Sequence, residues 1–456
     1  MKEQDVIIAG AGPVGCIFAL TLKEDISITI LERKAKEELG HDWTDGFDRS
    51  IVENQEILQY VSKLMDTPAA DFYTPDGQGR LSAPLTGRID IDRKELARSL
   101  VSAIEKRSNI TFIEHADIQS PLIENNCVMG LKFTRDNQEQ IIKSNLVVDT
   151  TGFSAVLRRK LPPTFSCYQG DLKPPDTFLT FRKYIKRPQD LQLRQYRILF
   201  GKYRALSWIN TELEAWIDFL ATVPNFPGHK DPKAIVEELE QTLIQETRLR
   251  LDLTPIRANY YSVIPMRRCL DSFCENNFLL IGDAACQVEP ITGSGIASGM
   301  IAGFIAAQHV NSLFAEHKPL SKENLWHYNY EWIKQVGAQF AALDVIRLFL
   351  LSLSEQDYNF LIRNRIITEE EFRKSLSGEK LRIGLVTMLQ KVWRGWTRLG
   401  LLLDLNRAIQ DSNKIKDIYY AYPLRFDEQA FKLWQKRKDS IINRYYKRIE
   451  TRTTSS

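Results

Sequence analysis

Three short stretches carry residues whose types and spacing could do chemistry. In the first, Gly10-Ala11-Gly12-Pro13-Val14-Gly15 follows the apolar run Val6–Ala9 and precedes a helix-like run from Cys16 to Leu22. Glycine at 10 permits a tight turn, at 12 it lets backbone approach a pyrophosphate, and at 15 it lets helix pack on strand. Free amides at such a helix start face an anion. A second strand-like run, Ile26–Leu31, ends in Glu32-Arg33, where an acid accepts hydrogen bonds from a ribose diol. That acid favours an unphosphorylated ribose, hence FAD or NAD. In the second stretch, LVVDTTGFSAVLRRKL, Asp149 ends a buried strand and Gly152 allows a close turn. In the third, LIGDAACQVEPITGSGIASGM, Gly282-Asp283 ends another buried strand. Pro290 and Gly293-Ser294-Gly295 make a turn, and Ile296 opens a helix rich in small residues.

These side chains need elements to hold them. Asp149 and Asp283 both stand at strand carboxyl ends, where open α/β sheets place ligands. The expected fold is therefore α/β: a doubly wound, Rossmann-like dinucleotide-binding domain from residues 1–165 plus 266–320. Residues 166–265 alternate in a strand-like way and read as an inserted antiparallel β-sheet substrate domain. Residues 321–377 read as a helical cap and 378–456 as a basic helical extension. Trp326, Tyr330 and Trp332 in the cap fall at helical spacing and read as packing residues.

The three motifs, in this order, resemble the FAD-dependent monooxygenase and geranylgeranyl reductase superfamily, which shares the aromatic hydroxylase fold. The resemblance covers roughly residues 1–375. It implies that Gly10, Gly12, Pro13, Val14, Gly15, Glu32 and Arg33 hold the ADP half of FAD. It places Arg93, at the head of DRKELARSL, over the cofactor, and Ala116 against adenine. Asp149 and Gly152 belong to the same site. Gly282 and Asp283 take the ribityl chain. Pro290, Gly293, Gly295 and Ile296 take the isoalloxazine, where a helix start supplies partial positive charge.

Within that superfamily, GDAACQVEPITGSGI resembles the reductase pattern, with Cys286 where glycine is usual. The resemblance implies an FAD-dependent oxidoreductase that reduces C=C bonds of a prenyl or other lipid-like substrate. An FAD monooxygenase, a flavin halogenase and a non-catalytic flavin-binding protein stay open as alternatives. Ala155 stands where hydroxylases carry a serine, and the W-x-W-x-I-P motif of halogenases is absent. Tyr203 and Trp208 partly echo a Y-x-W-x-F-P strand of prenyl reductases and are the substrate-pocket candidates. The related reductases carry a cysteine near the segment matching GHDWTDGFD. This chain has none there, which leaves His41 and Asp45 as candidate proton donors and the catalytic residues unassigned. The external reductant, NAD(P)H or ferredoxin, is likewise open, and an electron-donor protein is an expected partner.

Composition bounds the rest. The chain has 456 residues, 43% hydrophobic, with six scattered cysteines and no C-x-x-C pair. No metal site is expected. The start runs straight into a strand without a signal-peptide pattern, and no run reaches the ~18 apolar residues that span a bilayer. The expected location is cytoplasmic. Net charge is +3, but Glu379–Ser456 holds 17 Lys/Arg against 8 Asp/Glu. Within it, Gly384–Leu405 reads as an amphipathic helix. Lys391, Arg394 and Arg398 lie on one face, and Leu385, Leu389, Val392, Trp396, Leu399 and Leu403 on another. Two readings follow: a peripheral membrane contact, or a helix docked on the FAD domain with a solvated basic edge. No nucleic-acid motif accompanies the charge.

Overall fold

The computed structural model describes residues 4–48, 53–61, 65–66, 69–83, 88–213, 215–225, 230–247, 250–371 and 396–453. Its first sheet places Gln4–Ala9 centrally. Ile28–Leu31 and then Ile110–Ile113 lie to one side, and Gln138–Asp149 and then Phe278–Leu280 to the other, all five parallel. Cys274–Glu275 adds an antiparallel edge. Val6, Ile7, Ile8 and Ala9 are wholly buried, as a central parallel strand covered on both faces requires. Helices Pro13–Thr21 and Ile296–Ala315 lie nearly in backbone contact. A Cβ on Gly303 would stand 2.9 Å from the Val14 carbonyl oxygen, which is why this helix is rich in small residues.

The second sheet has seven strands, in the order Pro255–Pro265, Thr177–Lys186, Trp216–Pro224, Leu206–Asn210, Tyr196–Phe200, Ala70–Tyr73, Arg80–Ala83. Two expectations are corrected here. Residues 70–83 leave the FAD unit and join the inserted sheet. The sheet is also mixed, because Tyr196–Phe200 pairs in parallel with Ala70–Tyr73. A linear boundary misses both, since hydrogen-bonding partners come from distant chain. Helix Pro232–Thr247 covers one face of the sheet. The other face carries Phe72, Leu81, Ile198 and Trp208. A small sheet of Thr44–Asp48, Arg88–Asp92 and Met65–Asp66 lies apart from both.

The C-terminal helices are not appendages. Leu399–Tyr420 and Glu428–Thr453 bury Leu401, Ile415, Tyr419, Trp434 and Ile442 in the same core as Ile7, together with the cap residues Trp326 and Trp332. The separate extension expected from residue 378 is thus corrected over its described part. A buried ionic network locks it. Asp176 accepts from the Tyr446 hydroxyl at 2.7 Å and pairs with Arg347 at 3.0 Å. Asp344 pairs with Arg268 at 3.0 Å and with Arg347 at 2.7 Å. Among the described residues, no single helix is long and apolar enough to cross a membrane.

Candidate cofactor and active site

The first glycine motif folds as its residue types require. Gly10 adopts φ +101°, and a Cβ there would stand 2.8 Å from the Thr150 carbonyl oxygen. A Cβ on Gly15 would stand 2.4 Å from the Gly10 carbonyl oxygen. Gly12 differs: nothing lies within 4 Å of its Cβ position. It caps helix Pro13–Thr21 and faces open space at the helix start. That space, lined by unpaired amides, suits a pyrophosphate. Glu32 is held by the chain itself, accepting from the Ala11 amide at 2.9 Å and the Lys34 amide at 3.0 Å. Each carboxylate oxygen keeps a lone pair for a ribose hydroxyl. The buried Ala116 donates its amide to the Glu32 carbonyl at 2.9 Å, and Arg33 is exposed.

The third motif meets the first across Val14, whose side chain would contact a Cβ on Gly282 at 3.1 Å. Gly282 has φ +74° and donates its amide to the Gln287 side chain at 2.7 Å. The Asp283 carbonyl accepts from the Cys286 amide at 3.0 Å, but its carboxylate makes no hydrogen bond or ion pair among the described residues and lies where a Cβ on Gly295 would reach it at 3.0 Å. Burial raises its pKa, opposed by Arg93 and reinforced by Asp45. An unpartnered, largely enclosed carboxylate calls for hydroxyl donors, which a ribityl chain has. The turn before helix Ile296–Ala315 is anchored by Glu289, which accepts from the Ile291 and Thr292 amides. Pro290 is buried in this turn. Gly293 takes φ +75° and Gly295 caps the helix, so the amides from Ile296 onward head the site. The Ser294 hydroxyl donates to the Gly46 carbonyl at 2.7 Å, fixing strand Thr44–Asp48 beside the turn. These residues fit FAD.

Asp149 departs from expectation. It is fully buried and accepts from the Thr151 amide and hydroxyl and from the Leu157 and Arg158 amides, at 2.7–3.1 Å. Its four donors come from its own loop, so it shapes that loop and presents no surface to a cofactor. Gly152 has φ +67° with open space at its Cβ position. Arg158, also buried, donates to the Ala284 carbonyl at 2.7 Å and approaches the Cys286 sulfur at 3.9 Å. It ties the second motif to the third.

Arg93 pairs with Asp45 at 3.0 Å and lies over the Trp43 ring. Asp45 also accepts from the Trp43 indole at 3.2 Å and sits 3.7 Å from Arg182. Two guanidiniums and an indole N–H thus surround the Asp45 carboxylate. His41 stacks on Trp43 and Tyr260, and its Nδ1 lies 3.1 Å from the Tyr260 hydroxyl. Burial, with Arg93 and Lys34 adding, pushes its pKa down to about 3. His41 is a neutral imidazole at physiological pH, not a cationic acid.

The two substrate-pocket candidates are not brought together. The Tyr203 hydroxyl donates to Glu238 on helix Pro232–Thr247, on one side of the seven-stranded sheet. Trp208 packs on the other side and donates to Asp218 at 3.0 Å. Asp218 also binds Arg182, at 2.6 Å. Sequence reasoning missed this Arg182–Asp218 pair; an arginine inside the apolar strand TFLTFRKYIK was the available signal. It also missed Thr150 and Gln287, which no spacing rule singles out.

The FAD binding domain family matches residues 3–316 of this chain. The digeranylgeranylglycerophospholipid reductase of Sulfolobus acidocaldarius is 25% identical, over 98% of this chain and 100% of its own length. Digeranylgeranylglycerophospholipid reductase 1 of Methanococcoides burtonii is 23% identical over 82% of this chain and 90% of its own. Among solved structures, a geranylgeranyl bacteriochlorophyll reductase-like protein from Thermoplasma acidophilum superimposes with TM-score 0.69 at 15% identity, covering 90% of this chain and 100% of that one. A flavin-dependent brominase superimposes with TM-score 0.60 at 17% identity, over 83% and 94%.

Proposed function

This chain belongs to the FAD binding domain family, and from that premise we propose that it reduces C=C bonds of a prenyl lipid. The observation that carries the proposal is end-to-end correspondence. Similarity to the archaeal phospholipid reductase spans 98% of this chain, so it includes the inserted sheet and C-terminal helices, not the FAD unit alone. When bound, FAD supplies the hydride. This chain's own residues do the holding. Glu32 receives the ribose, Gly12 and the first helix start receive the pyrophosphate, and Asp283 receives the ribityl hydroxyls. The amides heading helix Ile296–Ala315 set a positive end against the ring. The strand Thr44–Asp48, pinned by Ser294 on one side and by Arg182 on the other, separates the cofactor cradle from the seven-stranded sheet. The face of that sheet around Phe72, Leu81 and Trp208 is covered by Ile362 of the helical cap, so the cap lies against the sheet that would meet the isoprenoid chain. Such a substrate resides in a bilayer, so the proposal includes a peripheral approach to one.

The test is anaerobic. The FAD-loaded protein is reduced with dithionite and mixed with a geranylgeranylated glycerophospholipid. Flavin reoxidation with a gain of two hydrogens per double bond is expected. Oxygen-dependent turnover with NADPH and an oxygenated product would instead establish a monooxygenase.

A further inference from the structure

The two C-terminal helices form an antiparallel hairpin whose inner side is fully committed. Asp404 pairs with Arg448 at 2.7 Å and Asp411 with Arg444 at 3.1 Å, while Ala408, Ile415, Tyr419, Trp434 and Ile442 are buried. Most carboxylates of the hairpin are paired within it, Asp417 on the first helix being exposed near Lys414. Glu428 pairs with Lys432 at 2.6 Å, Asp439 with Lys438 at 3.2 Å, and Asp427 accepts from the Ala430 amide at 2.7 Å.

The outer side is different. Arg407, Lys414, Lys436, Arg437 and Lys447 are exposed and make no ion pair with any described residue. Lys436 and Lys447 also line one shallow groove along the second helix. On the first helix, Leu399 and Leu403 continue the ridge of Arg407 and Lys414 at helical spacing. Trp396 precedes them. These three are 49%, 68% and 70% exposed respectively, among the most exposed large apolar side chains described. The Asp404–Arg448 pair sets this apolar end beside Lys447.

We propose that this outer face docks on an anionic phospholipid bilayer. Unpaired cations spread along both helices would attract anionic headgroups. An exposed Trp with two leucines at one end can enter the boundary between headgroups and acyl chains. The sequence expectation for the region is altered in two respects. Residues 384–395 lie outside the described residues. Arg398, expected on the basic face of that helix, pairs with Asp357 at 2.7 Å. The proposal deepens the prenyl-lipid reading and rests on it for its purpose, but its test is independent of catalysis.

The full-length FAD-loaded protein is floated with vesicles of neutral phosphatidylcholine and with vesicles in which about a third is phosphatidylglycerol, at low and high salt. Binding is expected to the anionic vesicles, weakened by salt. Lys436→Gln, Arg437→Gln and Lys447→Gln together reduce the partition coefficient on the order of a hundredfold, about fivefold per cation. Leu399→Ser with Leu403→Ser reduces it about tenfold. Flavin absorbance and melting temperature, unchanged in both variants, show that fold and cofactor are retained. Equal binding to neutral vesicles, binding unaffected by both variants, or no binding overturns the proposal. So does sedimentation showing that the same residues hold two copies of the chain together. If the variants lose vesicle binding but still reduce a detergent-dispersed prenyl lipid, both proposals stand. If the protein binds anionic vesicles but reduces no prenyl lipid, docking survives and the substrate reading fails.

Discussion

A single methyl group at Gly12 separates the cost of folding from the cost of binding. Gly12 sits at φ −66°, ψ 170°, a conformation alanine adopts freely, and nothing lies within 4 Å of its Cβ position. As the helix cap, Gly→Ala costs about 0.5 kcal/mol. Reduced freedom of the unfolded chain returns about 0.4–1 kcal/mol. The two nearly cancel, so cofactor-free Gly12→Ala should unfold within about 0.5 kcal/mol of the parent. Its methyl nevertheless points into the space assigned to the pyrophosphate. An overpacking cost of about 1–3 kcal/mol there weakens FAD binding between about fivefold and a hundredfold. Gly15→Ala is the control of opposite kind. Its methyl would stand 2.4 Å from the Gly10 carbonyl oxygen and 2.7 Å from the Thr150 hydroxyl. The helix-propensity gain of about 1 kcal/mol cannot offset displacement of backbone. Gly15→Ala therefore loses stability with or without cofactor, by about 1–2 kcal/mol. Denaturant unfolding of the cofactor-free proteins and FAD titration by flavin fluorescence measure the two quantities separately. If Gly12→Ala binds FAD like the parent, or its cofactor-free form unfolds at markedly lower denaturant, the open space does not belong to the cofactor.

Glu32→Gln keeps the shape but replaces a charged acceptor, so FAD affinity should drop about tenfold or more, measured by the same titration. Asp176→Ala removes the carboxylate beside Arg267 and one of the two that pair with Arg347 in the interior. It should cost about 3–5 kcal/mol in denaturant unfolding, whereas Tyr446→Phe should cost about 1–2 kcal/mol. His41 has a folded pKa of about 3, below its ordinary value of 6.5. Between those values the unfolded state holds a proton that the folded state does not. The folded state is therefore favoured above pH 6.5 and loses up to about 1.4 kcal/mol per unit as pH falls toward 3. Thermal melts of His41→Gln over that window should show a flatter acid limb than the parent; parallel limbs would exclude His41 as the titrating group.

Much of the backbone geometry of the proposed cofactor cradle was legible in local sequence. A glycine that must take φ +101°, another that must let helix meet strand, and an acid at a strand end are set within a few residues of each other. Their types follow directly from steric and electrostatic need. The same holds for Gly282, Gly293 and Gly295, and for the apolar runs of the parallel strands. Side-chain roles that depend on who arrives from far away were not legible. Asp149 has the sequence context of a ligand, yet its own loop saturates it. His41 reads as a proton donor until burial and Arg93, from a distant segment, lower its pKa, and Asp45 reads alone until Arg93 and Arg182 close around it. Tyr203 and Trp208 look like one pocket at five residues' separation, but Tyr203 sits in the turn Lys202–Arg204 and packs on one side of the sheet while Trp208, on strand Leu206–Asn210, packs on the other. Residues 70–83 join a sheet whose other strands begin a hundred residues later, and no local pattern encodes that pairing. The basic C-terminal region read only as charge plus amphipathicity. Packing decided which carboxylates pair inside the hairpin and which cations are left outside it. The sequence by itself determined the backbone turns of the proposed cofactor cradle; the tertiary structure decided every property that rests on long-range partners, because burial and charge neutralisation belong to surroundings and not to a residue alone.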